Sequence, residues 1–219
     1  MKFNWKTGIL LLILAIPVLI YLFLQGFGSN QFDIPVYYEE GVYSSNADCA
    51  FSEGQHYIPS FSLINQDHNT ITDEALAGHI TVVDFFFTSC PDICPIMTSE
   101  LSRVASAFRK EDNFKILSFS VDPTYDSPEV LKHYAANYGA NEEQWQFVTG
   151  DKKAIYSLAR CGFILPVQDG DGGKGDFIHS EKLVLVDQNK RIRGYYDGTD
   201  REDVDRLIIE TGILLANRK

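Results

Sequence analysis

Hydrophobic and polar positions divide the chain into three stretches. From Thr7 to Leu24, TGILLLILAIPVLIYLFL, there is no charge and almost every residue is apolar. Eighteen helical residues rise roughly 27 Å, close to the ~30 Å of a hydrocarbon core, so the run predicts a membrane-spanning helix. Residues 26–55 then mix Gly, Ser, Asn and a short acidic pair, with no helical or alternating period, and read as a linker and lead-in segment. Beyond His56 the pattern becomes regular. HYIPSFSLINQDHNTITDEAL has a strand–turn–strand look, with Phe61 and Leu63 alternating with polar neighbours and NQDHNT supplying the turn. Ile80–Phe87, ITVVDFFF, is mostly β-branched and aromatic, which suits a strand buried on both faces.

The elements after this strand follow from the same periodicities. Pro95 fits a first helical turn, and Met97, Leu101, Val104, Ala105 and Phe108 recur on one helix face. Phe114–Val121 predicts a second apolar strand, and Pro128–Tyr138 a helix with Ser127 as its N-cap. Gln146–Val148 suits a short strand and Lys153–Arg160 a helix. Leu183–Asp187 and Ile192–Tyr196 form a hairpin turning at QNK, and Asp200–Leu215 an amphipathic helix. Strands alternating with helices and closing on a hairpin predict an α/β sheet protein.

Charge gives the first stretch a direction. Lys2 and Lys6 precede the apolar run, and no Lys or Arg falls in Gln25–Asp33. The positive-inside rule then leaves residues 1–6 in the cytoplasm, residues 7–25 as an anchor, 26–55 as linker and lead-in, and 56–219 as the domain. A cleaved signal peptide is the competing reading, but no A-x-A site follows; QGFGS is a poor substitute. The expectation is a single-pass protein of the bacterial inner (plasma) membrane, its domain facing the periplasm or exterior. Of the 219 residues, 45% are hydrophobic and 13% aromatic, enough for a packed core. Residues beyond 32 carry 17 basic and 30 acidic side chains. That balance repels phosphate backbones and excludes nucleic acid as the partner; it ordinarily serves solubility.

The candidate chemistry lies in FFFTSCPDICPIM, residues 85–97. Cys90 falls in the turn leaving a buried strand and Cys94 at the mouth of a helix, where unpaired N–H groups and the helix dipole favour thiolate. A thiolate attacks disulfides and also binds soft metal ions. The C-x-x-x-C spacing is one residue longer than the oxidoreductase C-x-x-C, which weakens a plain thioredoxin reading and widens the bite for a metal. Two buried structural cysteines are the bland alternative. A metal needs more ligands, and imidazole suits copper and zinc. His68 sits in a turn, His133 on a predicted surface helix, and His56 and His79 at segment edges. His179 stands apart, just before a strand and after a Gly/Asp-rich loop, but spacing alone does not bring it to the cysteines.

The stretches VVDFFFTSCPDICPIMTSEL, SFSVDPTYDSPEVLKHYA, WQFVTG and FIHSEKLVLVDQNKRIRGYYDG, in that order, resemble the Sco (SenC) family of membrane-anchored, copper-binding assembly proteins. The resemblance runs from about Ile58 to the C-terminal helix. It implies a thioredoxin-like fold with an N-terminal transmembrane helix, and places Cys90, Cys94 and His179 at the family's three copper-ligand positions. It also implies binding of Cu(I) and Cu(II), and delivery of copper or of thiol reduction to the binuclear copper centre of cytochrome c oxidase subunit II. Other periplasmic copper carriers or thiol reductases are further expected partners. Two thiolates and one imidazole leave copper undersaturated, which suits a site that must release its metal. The alternatives are a thiol–disulfide oxidoreductase, with Cys90 and Cys94 as its redox-active pair, and a redox or copper sensor. A reductase does not need His179, whereas a copper site does. A peroxidase is disfavoured, because two cysteines and two prolines replace the Thr/Ser-x-x-Cys arrangement.

Three features remain. DGDGGKGD, residues 169–176, looks like a calcium loop but has Lys174 at position six and Ser180 at position twelve, where glycine and a bidentate Glu belong. It is therefore read as a loop leading to His179. Asp122 in SVDP is read as a turn-former before Pro123, the alternative being a hydrogen bond that orients the site. Cys49 and Cys161 lie outside the family's core pattern. If they pair, they tie the lead-in segment to the domain; free thiols at both positions are the alternative.

Overall fold

In the computed structural model, residues 5–27, 33–42, 49, 51, 53–165 and 180–217 are described. The chain divides into two compact units, residues 1–33 and 34–219. The first consists of helix α1, Trp5–Phe27, with Pro17 inside it. Among the described residues no helix is long and apolar enough to cross a membrane. The apolar run of α1 is bounded by Lys6 before it and by Gln25 and Gly26 after it. Pro17 also removes a backbone donor within that run. The expected transmembrane anchor, and with it the expected inner-membrane location with a periplasmic domain, is corrected accordingly.

The second unit is a mixed seven-stranded sheet with helices on its faces. Its strands are β1 (Ser62–Asn65), β2 (Thr70–Thr72), β3 (Ile80–Phe86), β4 (Phe114–Ser120), β5 (Trp145–Thr149), β6 (Lys182–Val186) and β7 (Ile192–Asp197). The spatial order is β2-β1-β5-β4-β3-β6-β7. The central β3, β4 and β5 run parallel, and β1 and β6 flank them antiparallel. Helices α2 (Ile93–Ala107) and α3 (Pro128–Asn137) follow β3 and β4, and α4 (Lys152–Ser157) follows β5. A π-helical turn, Leu158–Gly162, extends α4, and α5 (Arg201–Ala216) closes the chain.

Residue alternation explains why β3 reads as a mainly apolar run with no polar face. Ile80, Val82 and Phe86 pack into one core with Met97, Leu101 and Val104 of α2, Leu131 of α3 and Leu207 of α5. Val83 and Phe85 enter a second core with Leu63, Leu117, Ile155, Tyr156 and Phe163 on the other face. A strand covered on both sides has no polar face to show. Helix starts follow local chemistry: the Ser127 hydroxyl accepts from Val130 N–H at 3.4 Å, Asp151 from Ala154 N–H at 2.8 Å, and Asp200 from Glu202 N–H at 2.9 Å. Each satisfies a donor that the helix itself leaves open.

The lead-in segment is docked to the sheet by polar contacts. Arg193 on β7 is buried, donates to Asp187 Oδ2 at 3.1 Å and to the Pro35 carbonyl at 3.0 Å, and also reaches the Ile34 carbonyl. Tyr37 N–H donates to the Ile192 carbonyl at 2.9 Å. Cys49 and Cys161 form a disulfide with Cα atoms 5.4 Å apart, spanning 112 residues and joining this segment to the π-helical turn. Beside it His56 Nε2 bonds the Gly162 carbonyl at 2.7 Å.

Candidate metal centre

Fully buried β3 ends at Phe86, and the chain turns over residues 87–92 into α2. Cys90 sits on that turn, its N–H donating to the Phe87 carbonyl at 3.2 Å. Cys94 is the second residue of α2, inside the first turn, where backbone N–H groups have no carbonyl partner within the helix. Pro95 follows at the third helical position and so loses no helical bond. The two thiols are free and buried, 8% exposed at Cys90 and 3% at Cys94. Each thiol acts on the other's proton equilibrium.

Their surroundings make the two thiols unlike. Burial pushes the Cys90 thiol up, but the N–H groups of Asp92, Cys94 and Ile93 and the Cys94 thiol together outweigh it, so its net shift is downward. At Cys94 burial dominates and, with negative charge at Cys90 and Asp84, holds the thiol far above its usual range, with a backbone hydrogen bond at Phe87 opposing in part. Cys90 is therefore the readier thiolate and Cys94 the reserve.

Polar groups support the pair from two sides. Asp84 lies on β3 opposite Ser118 on β4 and on the strand face that carries Val82 and Phe86. Ser118 Oγ donates to Asp84 Oδ1 at 2.5 Å and accepts from Trp145 Nε1–H at 2.9 Å. Burial pushes the Asp84 carboxyl up to about 7, with the Ser118 hydroxyl opposing. Its folded value lies above its unfolded one, so its stabilising contribution is whole below about pH 4 and is lost as pH rises through 7. Asp84→Asn is accordingly expected to gain stability over the natural chain at pH 8 by on the order of 2–4 kcal/mol, and to lose that advantage toward pH 4. Urea unfolding at the two pH values checks this, and a pH-independent difference would contradict it. On the second side, Asp126, fully buried, accepts from Thr88 and Ser120. Thr98 on α2 donates to the Cys94 carbonyl at 2.7 Å and bonds Tyr134 on α3 at 2.9 Å.

The structure places Cys90 and Cys94 on the same strand-to-helix turn, both buried and free, and His179 and the loop 169–176 lie outside the described residues. Among the described residues no group of three or more His, Cys, Asp or Glu side chains is placed to hold a metal ion. His68 pairs with exposed Glu129 at 2.9 Å, His79 with the Ala77 carbonyl at 3.0 Å, and His133 is exposed. Asp122 is the turn-former it was read as, its carbonyl accepting from Tyr125 and Asp126 N–H at 3.0 and 2.9 Å. The carboxylate that reaches the cysteine turn is Asp126. Sequence reading missed it because Thr88 lies 38 residues away; the nearest signal was its position just before the Ser127 cap.

Comparison with known proteins identifies the family of the chain. The SCO1/SenC family model matches residues 50–211. The SCO1 protein homolog of Bacillus subtilis is 31% identical over 192 residues, covering 87% of this chain and 90% of its own. A Stutzerimonas stutzeri protein named for copper binding is 30% identical over 142 residues, 63% of this chain and 68% of its own. The solved structure of BsSco, described as having a disulfide switch and as a member of the Sco family of cytochrome c oxidase assembly proteins, superposes with a TM-score of 0.63 at 31% identity, covering 74% of this chain and 94% of that one. The mixed α/β fold thus matches the thioredoxin-like Sco structures, and this chain belongs to the SCO1/SenC family.

Proposed function

We propose that this protein binds copper through Cys90, Cys94 and His179 and serves in assembly of the binuclear copper centre of cytochrome c oxidase subunit II. The observation that carries the reading is the pair of free, buried thiols at the turn into α2, one eased toward thiolate and one held back. Thiolates are soft donors that select Cu(I), and an imidazole completes a set left open for an incoming ligand. Thiols must lose their protons to bind, so uptake follows their reduction and is pH-linked. Relatives named for copper binding and for cytochrome c oxidase assembly support the cargo and the destination.

Anaerobic Cu(I) titration of the reduced full chain, with and without His179→Ala, tests this against a competing chelator. One tightly bound copper per chain is expected, weakened at least about tenfold in the variant. Equal binding in the two proteins would remove His179 from the site. A second reading, a thiol–disulfide oxidoreductase acting on cysteines of an oxidase subunit, draws on the lowered Cys90 thiol, the attacking form such an enzyme needs. That second reading predicts reduction of a disulfide substrate by the copper-free chain.

A further inference from the structure

Asp126 is a buried carboxyl group just before the Ser127 cap of α3. It is 0% exposed, and among the described residues no Lys, Arg or His forms an ion pair with it. A carboxylate in that position is costly unless donors surround it. The donors come from the turn after β3 and from the last residue of β4. Thr88 N–H donates to Oδ2 at 3.1 Å and the Thr88 hydroxyl to Oδ1, while Ser120 Oγ donates to Oδ2 at 2.5 Å. Ser120 ends β4 and its hydroxyl in turn accepts from Asp122 N–H at 3.1 Å. Thr88 lies two residues before Cys90, and the Cys90 N–H is bonded back to the Phe87 carbonyl at 3.2 Å.

The grip on Thr88 is two-pointed, taking backbone and side chain of one residue at once. It therefore fixes the path of the chain as it leaves β3, and through the 87–90 turn it fixes where the Cys90 sulfur points. We propose that Asp126 is a positioning residue for Cys90. It holds the turn so that the Cys90 sulfur faces Cys94 and the N–H groups at the start of α2, which sets how readily the pair closes to a disulfide and how tightly it holds Cu(I). A carboxylate is specific here because the facing backbone N–H can only donate and the two hydroxyls are turned to donate. An asparagine would set its NH₂ against one of them. This inference rests on Cys90 and Cys94 being the working pair.

The test uses the full chain and three variants, Asp126→Asn, Thr88→Val and Thr88→Ser. The first readout is equilibration with glutathione. Two thiols of the pair give up two electrons and two protons to glutathione disulfide, the Cys90–Cys94 S–S bond forms, and two molecules of glutathione thiol are released. Peptide mapping quantifies that bond apart from Cys49–Cys161. The second readout is Cu(I) affinity. Asp126→Asn and Thr88→Val are expected to disfavour the pair's disulfide at least tenfold, a shift of about 30 mV, and to weaken Cu(I) tenfold to a hundredfold. Thr88→Ser, which keeps the hydroxyl, restores natural values within about twofold. A purely structural role lowers the melting temperature and leaves the glutathione equilibrium alone; that result overturns the proposal. So does an equal loss in Thr88→Ser, or a shift toward the disulfide. If Asp126→Asn does not fold, the Thr88 pair of variants decides. If the natural chain takes up no copper, the copper reading fails while the glutathione equilibrium still decides for or against Asp126.

Discussion

Replacing Cys90 and Cys94 together by serine is expected to abolish stoichiometric Cu(I) binding while leaving the domain folded. A serine hydroxyl is a hard donor that keeps its proton at any working pH, so it replaces neither the softness nor the charge of a thiolate. Loss of one outer hydrogen bond around a metal ligand costs about 10–100-fold in affinity, and loss of two ligands exceeds that range. The stability cost is separate and smaller. Each buried hydroxyl without a partner costs about 1–3 kcal/mol, and in a domain of this size each kcal/mol lowers the melting temperature by about 2–4 °C. Chelator competition beside thermal unfolding separates the two effects. A double variant that still bound one copper tightly would place the site elsewhere in the chain.

Removing the Cys49–Cys161 disulfide as a Cys49→Ala, Cys161→Ala pair is expected to be the most destabilising change that leaves the site itself intact. The bridge spans 112 residues. Cross-links closing long loops typically contribute about 2–4 kcal/mol by restricting the unfolded chain, which corresponds to a fall in melting temperature of roughly 5–15 °C. Denaturant unfolding of the double-alanine chain under non-reducing conditions measures it. An unchanged midpoint, together with free thiols at both positions in the natural chain, would show that the cross-link does not form in solution.

Much of the domain was legible because its signals are local. β-branched and aromatic runs marked β3 and β4, spacing marked the buried face of α2, and Ser127 and Asp200 marked helix starts that the structure places within a residue. The cysteine pair was legible for the same reason, since five consecutive residues at a strand-to-helix turn carry it. Partnerships made by the sheet were not. Asp84 and Ser118 face each other only because β3 and β4 run parallel in a particular register, and Thr88 meets Asp126 only because two crossover loops open at the same end. The π-helical turn was read as a continuation of the helix from Lys153, because one extra residue per turn leaves no mark on an apolar pattern. The uncharged run of residues 7–24 was read as a membrane span from its length and lack of charge, and among the described residues no helix is long and apolar enough to be one.

The two outer strands of the sheet also bear on how the protein behaves at high concentration. A strand with a free row of backbone donors and acceptors is a template for a second chain, and long flat edges seed fibrous association. Here β2 is only three residues long, and the opposite edge, β7, is shielded where Tyr37 bonds Ile192 and Arg193 holds the Ile34 and Pro35 carbonyls over it. The segment that looked like a featureless connector in the sequence thus works as a guard against self-association, and a shortened chain beginning after residue 38 would leave that edge open.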